Sequence, residues 1–118
     1  MIVKRVRPDG RTRRSGELFV GSHDYQSIVG NESAQFRVAE LTFRDGERTK
    51  LHVHDSEQLV VIASGRGIVA TADEEHEIGV GDYALIAKEE PHWHGAPPGD
   101  EVTLLSVLGP HKTRLASG

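Results

Sequence analysis

GERTKLHVHDSEQLVVIASG, residues 46–65, carries two histidines one residue apart, a glutamine four residues after the second, and a glycine at each end. On an extended strand successive side chains face opposite sides, so His52 and His54 share one face while Leu51 and Val53 share the other. Two imidazoles then converge. Asp55 and Ser56 are placed to turn the chain back, and Gln58 opens the apolar run LVVIA, so its amide oxygen can return to the point where the rings meet. A second histidine pair, His92 and His94 in PHWHG, again has strand spacing. The four-residue cluster this suggests is a metal site completed by His92 or His94, a choice that periodicity leaves open.

The surrounding composition suits an all-β domain. The chain has 118 residues, 36% of them hydrophobic, enough for one domain with a modest core and too few for two. Thirteen glycines and many short Val, Ile, Leu and Thr runs favour strands joined by tight turns. Without cysteine, disulfides and thiolate sites are excluded, so a metal here must be held by nitrogen and oxygen. A formal charge of −4 argues against a nucleic-acid surface. No apolar run has the length of a membrane span and no h-region opens the chain, so neither membrane contact nor export is expected and the expected location is cytoplasmic.

The amino end stands apart. Lys4, Arg5, Arg7, Arg11, Arg13 and Arg14 make residues 1–16 a basic strand or arm. ELFVGS and DYQSIVG then read as two short strands with His23 and Asp24 between them. AQFRVAELTF alternates, with a phase change expected near Leu41 from a bulge. RDGE is a hairpin turn, SGRG and DEEH turn the chain twice more, EIGVGDYALIA supplies two strands, and VTLLSVLG supplies the last. LVVIA lacks alternation, which implies cover on both faces or a subunit interface, and with it a homodimer. Residues 110–118 read as a loose tail of the single domain 1–118.

These motifs resemble those of the cupin family over roughly residues 36 to 109. Gly46, His52, His54, Gln58 and Gly65 match every spacing of the first cupin motif, with Gln58 in place of the usual glutamate. In the second motif Gly81 and His92 match, whereas Ala87, Glu89 and Ala96 stand where proline, glycine and asparagine are expected. The resemblance implies a double-stranded β-helix, or jelly-roll barrel, holding one divalent metal through His52, His54, Gln58 and His92. It leaves His94 as a catalytic or supporting group. ERTKLHVH, Gln58 and HWHGA are most similar to the small bacterial metal-dependent hydroxynitrile lyases, although Leu51 and Asp55 are atypical of them.

Three neutral imidazoles and an amide leave the charge of a divalent ion uncompensated, so the expected centre is a Lewis acid for an anionic ligand. The ligand set suits manganese, iron, cobalt, nickel or zinc. An enzyme acting on a small organic molecule by oxygenase-like chemistry is expected first, with a hydroxynitrile-lyase-like or decarboxylase-like carbon–carbon lyase as the alternative. A non-catalytic small-molecule binding module is the third reading. His94 is the candidate general base. Arg48 and Lys50 share the phase of His52 and are candidates for anion binding at the cavity mouth. Trp93 and Glu57 are expected to face away from the metal, and His23, His76 and His111 to be structural or surface residues.

Overall fold

The computed structural model describes residues 1–116. Met1–Arg7 runs without regular structure to a short 3-10 turn at Pro8–Gly10. The strands that follow are β1 Thr12–Arg14, β2 Phe19–Val20, β3 His23–Val29, β4 Arg37–Arg44, β5 Arg48–Thr49 and β6 His52–His54. They continue as β7 Gln58–Thr71, β8 Glu75–Gly79, β9 Tyr83–Ile86, β10 His92–Gly95, β11 Glu101–Leu108 and β12 Thr113–Leu115. All recorded pairings are antiparallel, and together they make one curled sheet that runs β1-β3-β4-β11-β7-β10-β5-β2. The jelly-roll barrel expected from the sequence is present.

β7 closes the barrel. Its first half pairs with β11 and β9, and its second half pairs with β10 and β8. The segment Ser64–Gly67, expected as a turn, is instead the bend at which this single strand passes from one half of the barrel to the other. Gly65 permits the bend, because its φ is +77° and a Cβ there would fall 1.9 Å from the Glu101 carbonyl oxygen. Any side chain at that point would force the strands apart.

Alternation along β4 and β11 builds the interior. Leu41 and Phe43 of β4 and Val102 and Leu104 of β11 meet Val60, Ile62 and Val69 of β7 in the core. Register between β4 and β11 is unbroken from Arg37↔Leu108 to Arg44↔Glu101. No phase change occurs at Leu41, therefore: Glu40 lies on the outer face, where the Arg11 guanidinium pairs with it at 2.7 Å and satisfies a nearly buried carboxylate. The irregularities lie in β3 against β4, between Ser27 and Val29, and in β11 against β7, between Thr103 and Leu104.

Both ends of the chain depart from a simple reading. His23 and Asp24, expected between strands, begin β3. The tail expected to be loose contributes β12, which pairs with β6 through Thr113↔His54 and Leu115↔His52, while Ala116 N–H donates to the Leu51 carbonyl at 3.0 Å. The rest of that tail, residues 117–118, lies outside the described residues. Among the described residues no helix is long and apolar enough to cross a membrane.

Candidate metal centre

Three strand segments bring the histidines together. β6 lies between β10 and β12, and the register His92↔His52 sets the two histidine pairs side by side. The β10 glycine makes this approach possible: a Cβ on Gly95 would lie 2.3 Å from the Arg48 Cβ, so only glycine lets β5 reach β10 here. Strand alternation sends His52, His54, His92 and His94 inward, each buried, and the reversal through Asp55 and Ser56 brings Gln58 back beside them.

The ring centroids of His52 and His92 are 4.3 Å apart, those of His52 and His54 4.8 Å, and those of His54 and His92 5.2 Å. Each imidazole is held from behind. His52 Nδ1–H donates to the Lys50 carbonyl and His92 Nδ1–H to the Glu90 carbonyl, both at 2.7 Å. His54 Nδ1 is hydrogen-bonded to Thr113 Oγ1, also at 2.7 Å, a hydroxyl that accepts when the ring takes the same tautomer. With Nδ1 protonated in each neutral ring, the lone pair sits on Nε2 and faces the common centre.

Burial keeps these rings neutral. It depresses His52 to about 4, with the Lys50 hydrogen bond opposing and the His92 charge adding to the shift. It depresses His54 to about 3, reinforced by His52, His92 and His111 and opposed only slightly by the neighbouring Gln58. His92 is lowered for the same reason, with Glu90 acting against the shift. Neutral imidazoles with fixed tautomers are the form in which histidine ligates a metal.

His52, His54 and His92 offer one ring nitrogen each within 4.8 Å of one another, a grouping that could hold a metal ion. Two features test the fit. His54 Nε2 is buried with no hydrogen-bond partner, which leaves an acceptor unsatisfied in a desolvated site. His92 Nε2 and Gln58 Oε1 lie 2.9 Å apart while Gln58 Nε2 donates to Ser106 Oγ at 2.8 Å, so with the His92 tautomer above two acceptors face each other. A flipped amide would relieve the second contact by donating to His92. It would not relieve the first, whereas a cation satisfies both.

Residues 39–108, more than half of the chain, match the cupin domain family. The chain belongs to the cupin family. A relative, (R)-mandelonitrile lyase of Granulicella tundricola, is 28% identical over 109 residues, covering 91% of this chain and 83% of that protein. Among solved structures, a cupin-like protein from Thermotoga maritima matches with a TM-score of 0.80 at 24% identity, over 89% of this chain and 85% of that one. The polyketide cyclase RemF from Streptomyces resistomycificus matches with a TM-score of 0.79 at 19% identity, over 98% and 88%.

One departure from the second cupin motif has a local compensation. Glu89, at the position expected for glycine, has φ +64°, a left-handed conformation that costs a side-chain residue about 1 kcal/mol or more. Its N–H donates to the His54 carbonyl at 2.9 Å, and its carboxylate pairs with Arg114 of β12 at 2.7 Å. These contacts tie the His92 loop to both strands that support His54.

The cupin barrel encloses a cavity of about 500 Å³ whose wall includes His52, His54, Gln58 and His94. His94 is 3% exposed and packs edge-on to Phe43 at 5.7 Å and to His52 at 5.8 Å. Its Nδ1 is buried without a hydrogen-bond partner. Burial first, and then the neighbouring histidines, hold its pKa well below 6.5.

Among the other candidates His111, Arg48 and Lys50 depart from the sequence expectation. His111 joins the cavity wall, 5.1 Å from His54 between ring centroids, with Nδ1–H donating to the Gly109 carbonyl. Its signal in the sequence was lost because the tail that carries it reads as unstructured. His23 is a core residue stacked on Phe19 at 3.9 Å, and His76 is exposed beside Glu74. Glu57 is exposed, Trp93 is half-buried beneath Arg48, and neither lines the cavity. Arg48 is stacked on the Trp93 ring at 4.4 Å and Lys50 is exposed, so neither lines the cavity. The arginine on the cavity wall is Arg37.

Proposed function

We propose that this cupin is a metal-dependent enzyme that cleaves or forms a carbon–carbon bond in a small organic molecule, with His52, His54, Gln58 and His92 as ligands of one divalent ion. The observation that carries the reading is His94: a neutral, buried imidazole on the cavity wall, two residues from one proposed ligand and in ring contact with another. The lyase activity in the name of the (R)-mandelonitrile relative supports the reaction class. The ligand set would serve oxygenase-like chemistry equally, but no cavity residue adds to that reading.

A divalent ion held by His52, His54, Gln58 and His92 would supply Lewis acidity, lowering the pKa of a substrate oxygen beside it. The chain's own residues do the rest. Phe19, Tyr25, Leu41 and Leu108 form an apolar wall that excludes water from the substrate body. Ser106 Oγ accepts from the Gln58 amide and fixes its oxygen towards His92. The His94 imidazole exchanges the hydroxyl proton of a cyanohydrin or aldol-type substrate. Its depressed pKa makes it a weak base, matched to a proton that has already been made acidic.

Turnover of a panel of aromatic cyanohydrins and β-hydroxy carbonyl compounds, assayed with manganese, iron, cobalt, nickel and zinc forms, tests this directly. Lyase turnover in at least one metal form, lost on chelation, is the expected result. Oxygen consumption with an iron form and no lyase turnover would replace this reading with the oxygenase-like one. We further infer a homodimer, supported by the exposed apolar side chains Val80, Tyr83 and Leu85 on and beside β9.

A further inference from the structure

Among the described residues Arg37 is the only Lys, Arg, Asp or Glu on the cavity wall. The other strand arginines all have partners. Arg13 and Arg44 pair with Asp24, Arg66 with Glu77 and Arg114 with Glu89. Arg14 lies over the Tyr25 ring and Arg48 over the Trp93 ring. Of the strand arginines, Arg37 alone has neither an acid nor an aromatic face among the described residues.

Its position relative to the histidines follows from the register. Arg37 is opposite Leu108, and Leu108 is opposite Gln58, so the three residues form one row across β4, β11 and β7. Residues in a row share a face, and two strand spacings separate Arg37 from Gln58 by about 10 Å at Cα. Leu108, buried, fills the row between them.

The guanidinium is held, yet part of it is unused. Its Nη1 donates to the carbonyls of Gly30, Ser33 and Phe36 at 3.1, 2.7 and 2.9 Å, which clips the β3–β4 loop and fixes the side chain. The Nε and Nη2 donors have no acceptor among the described residues. That free edge has the fork geometry that takes a carboxylate through two parallel hydrogen bonds.

We propose that Arg37 anchors a carboxylate of the substrate, so that the cavity selects an amphipathic monocarboxylate. Its acid group meets Arg37, its apolar body lies along Leu108, Leu41 and Tyr25, and its oxygen-bearing reactive head lies at the histidines. This rests on the cavity being the substrate site, and it names a substrate class that the neutral cyanohydrins of the general reading do not include. A loop clip alone would explain the Nη1 contacts, but it would not explain a fixed cation without a counter-charge in a wall free of acids.

Calorimetric titration of the metal-loaded full chain with 3-phenylpropanoate and with its neutral carboxamide separates the possibilities. Wild type is expected to prefer the acid by roughly 10- to 100-fold, the worth of charge-assisted hydrogen bonds. Arg37→Met should bring the two affinities close to equal with metal content unchanged, and Arg37→Lys should restore part of the preference. A preference that persists in Arg37→Met places the acid at the metal and overturns the proposal, as does equal binding of both ligands to wild type. An equal loss of both ligands in Arg37→Met reduces Arg37 to a loop clip. If neither ligand binds wild type while a cyanohydrin is turned over, the carboxylate class is wrong and the lyase reading stands; if nothing binds or turns over, both fail.

Discussion

Thr113 Oγ1 lies 2.7 Å from His54 Nδ1, so a hydroxyl on the last strand orients an imidazole at the centre of the barrel. Thr113 sits directly opposite His54 in the β12–β6 pairing, and the backbone of Ala116 bonds to that of Leu51. β12 therefore completes the support of the proposed metal ligands.

Thr113→Val keeps the shape of the side chain and removes the acceptor. It is expected to weaken metal binding by roughly 10- to 100-fold, the usual effect of losing a group that orients a ligand. Thr113→Ser should restore most of the affinity. Competition for the metal with a chromophoric chelator measures both, and an unchanged affinity in Thr113→Val would remove Thr113 from the site.

His94→Ala is expected to retain metal and fold while losing turnover by roughly 10²- to 10⁴-fold, the contribution of a positioned proton-transfer group. Elemental analysis and steady-state kinetics on the same preparation check it. Loss of metal in this variant with retention in His92→Ala would shift the ligand assignment by two residues.

The metal-free protein should be acid-sensitive in a defined window. His52 and His54 are depressed to about 4 and about 3 in the fold, against about 6.5 in the unfolded chain. Between those values the unfolded chain binds more protons, so stability is full above about pH 6.5 and declines as the pH falls towards 4. The melting temperature of chelated protein should drop steadily from pH 7 to pH 5. A flat profile would mean that these rings are not buried neutral groups.

Gly95→Ala should destabilise the fold and weaken the metal site together, because the added methyl meets the Arg48 Cβ at 2.3 Å and the Glu47 carbonyl at 2.5 Å. Crowding of this kind costs about 1–3 kcal/mol, and it falls where β5 packs on the strand that carries His92 and His94. Thermal melts with and without metal measure the two effects.

Dimerisation has its own check. Light scattering at micromolar concentration should give twice the chain mass, and charged substitutions at Tyr83 and Leu85 should reduce it to the monomer. A monomer at every concentration would contradict the inference.

The strand spacing of His52, His54, His92 and His94 made the centre legible, because alternation alone sends all four inward. The choice of His92 over His94 as a ligand came from the resemblance to the cupin motif. What alternation could not show is long-range register. Arg37 belongs to the cavity because β4 lies two strands from Gln58, a relationship absent from local pattern, whereas Arg48 has the right phase but stacks on Trp93. The strand β12 was missed because PHKTRLASG has little apolar periodicity: Arg114 and Leu115 are exposed, and its pairing is secured by backbone bonds. The bend in β7 read as a turn because Gly65 and Gly67 serve close strand packing, which in sequence resembles turn chemistry.

The central claim is that His52, His54, Gln58 and His92 hold one divalent ion per chain. Elemental analysis of protein purified without added metal, beside a His52→Ala, His54→Ala double variant, tests it most directly. One equivalent of a transition metal in wild type and almost none in the double variant is the expected result, with a lower melting temperature for chelated wild type. Stoichiometric metal undiminished in the double variant would contradict the account.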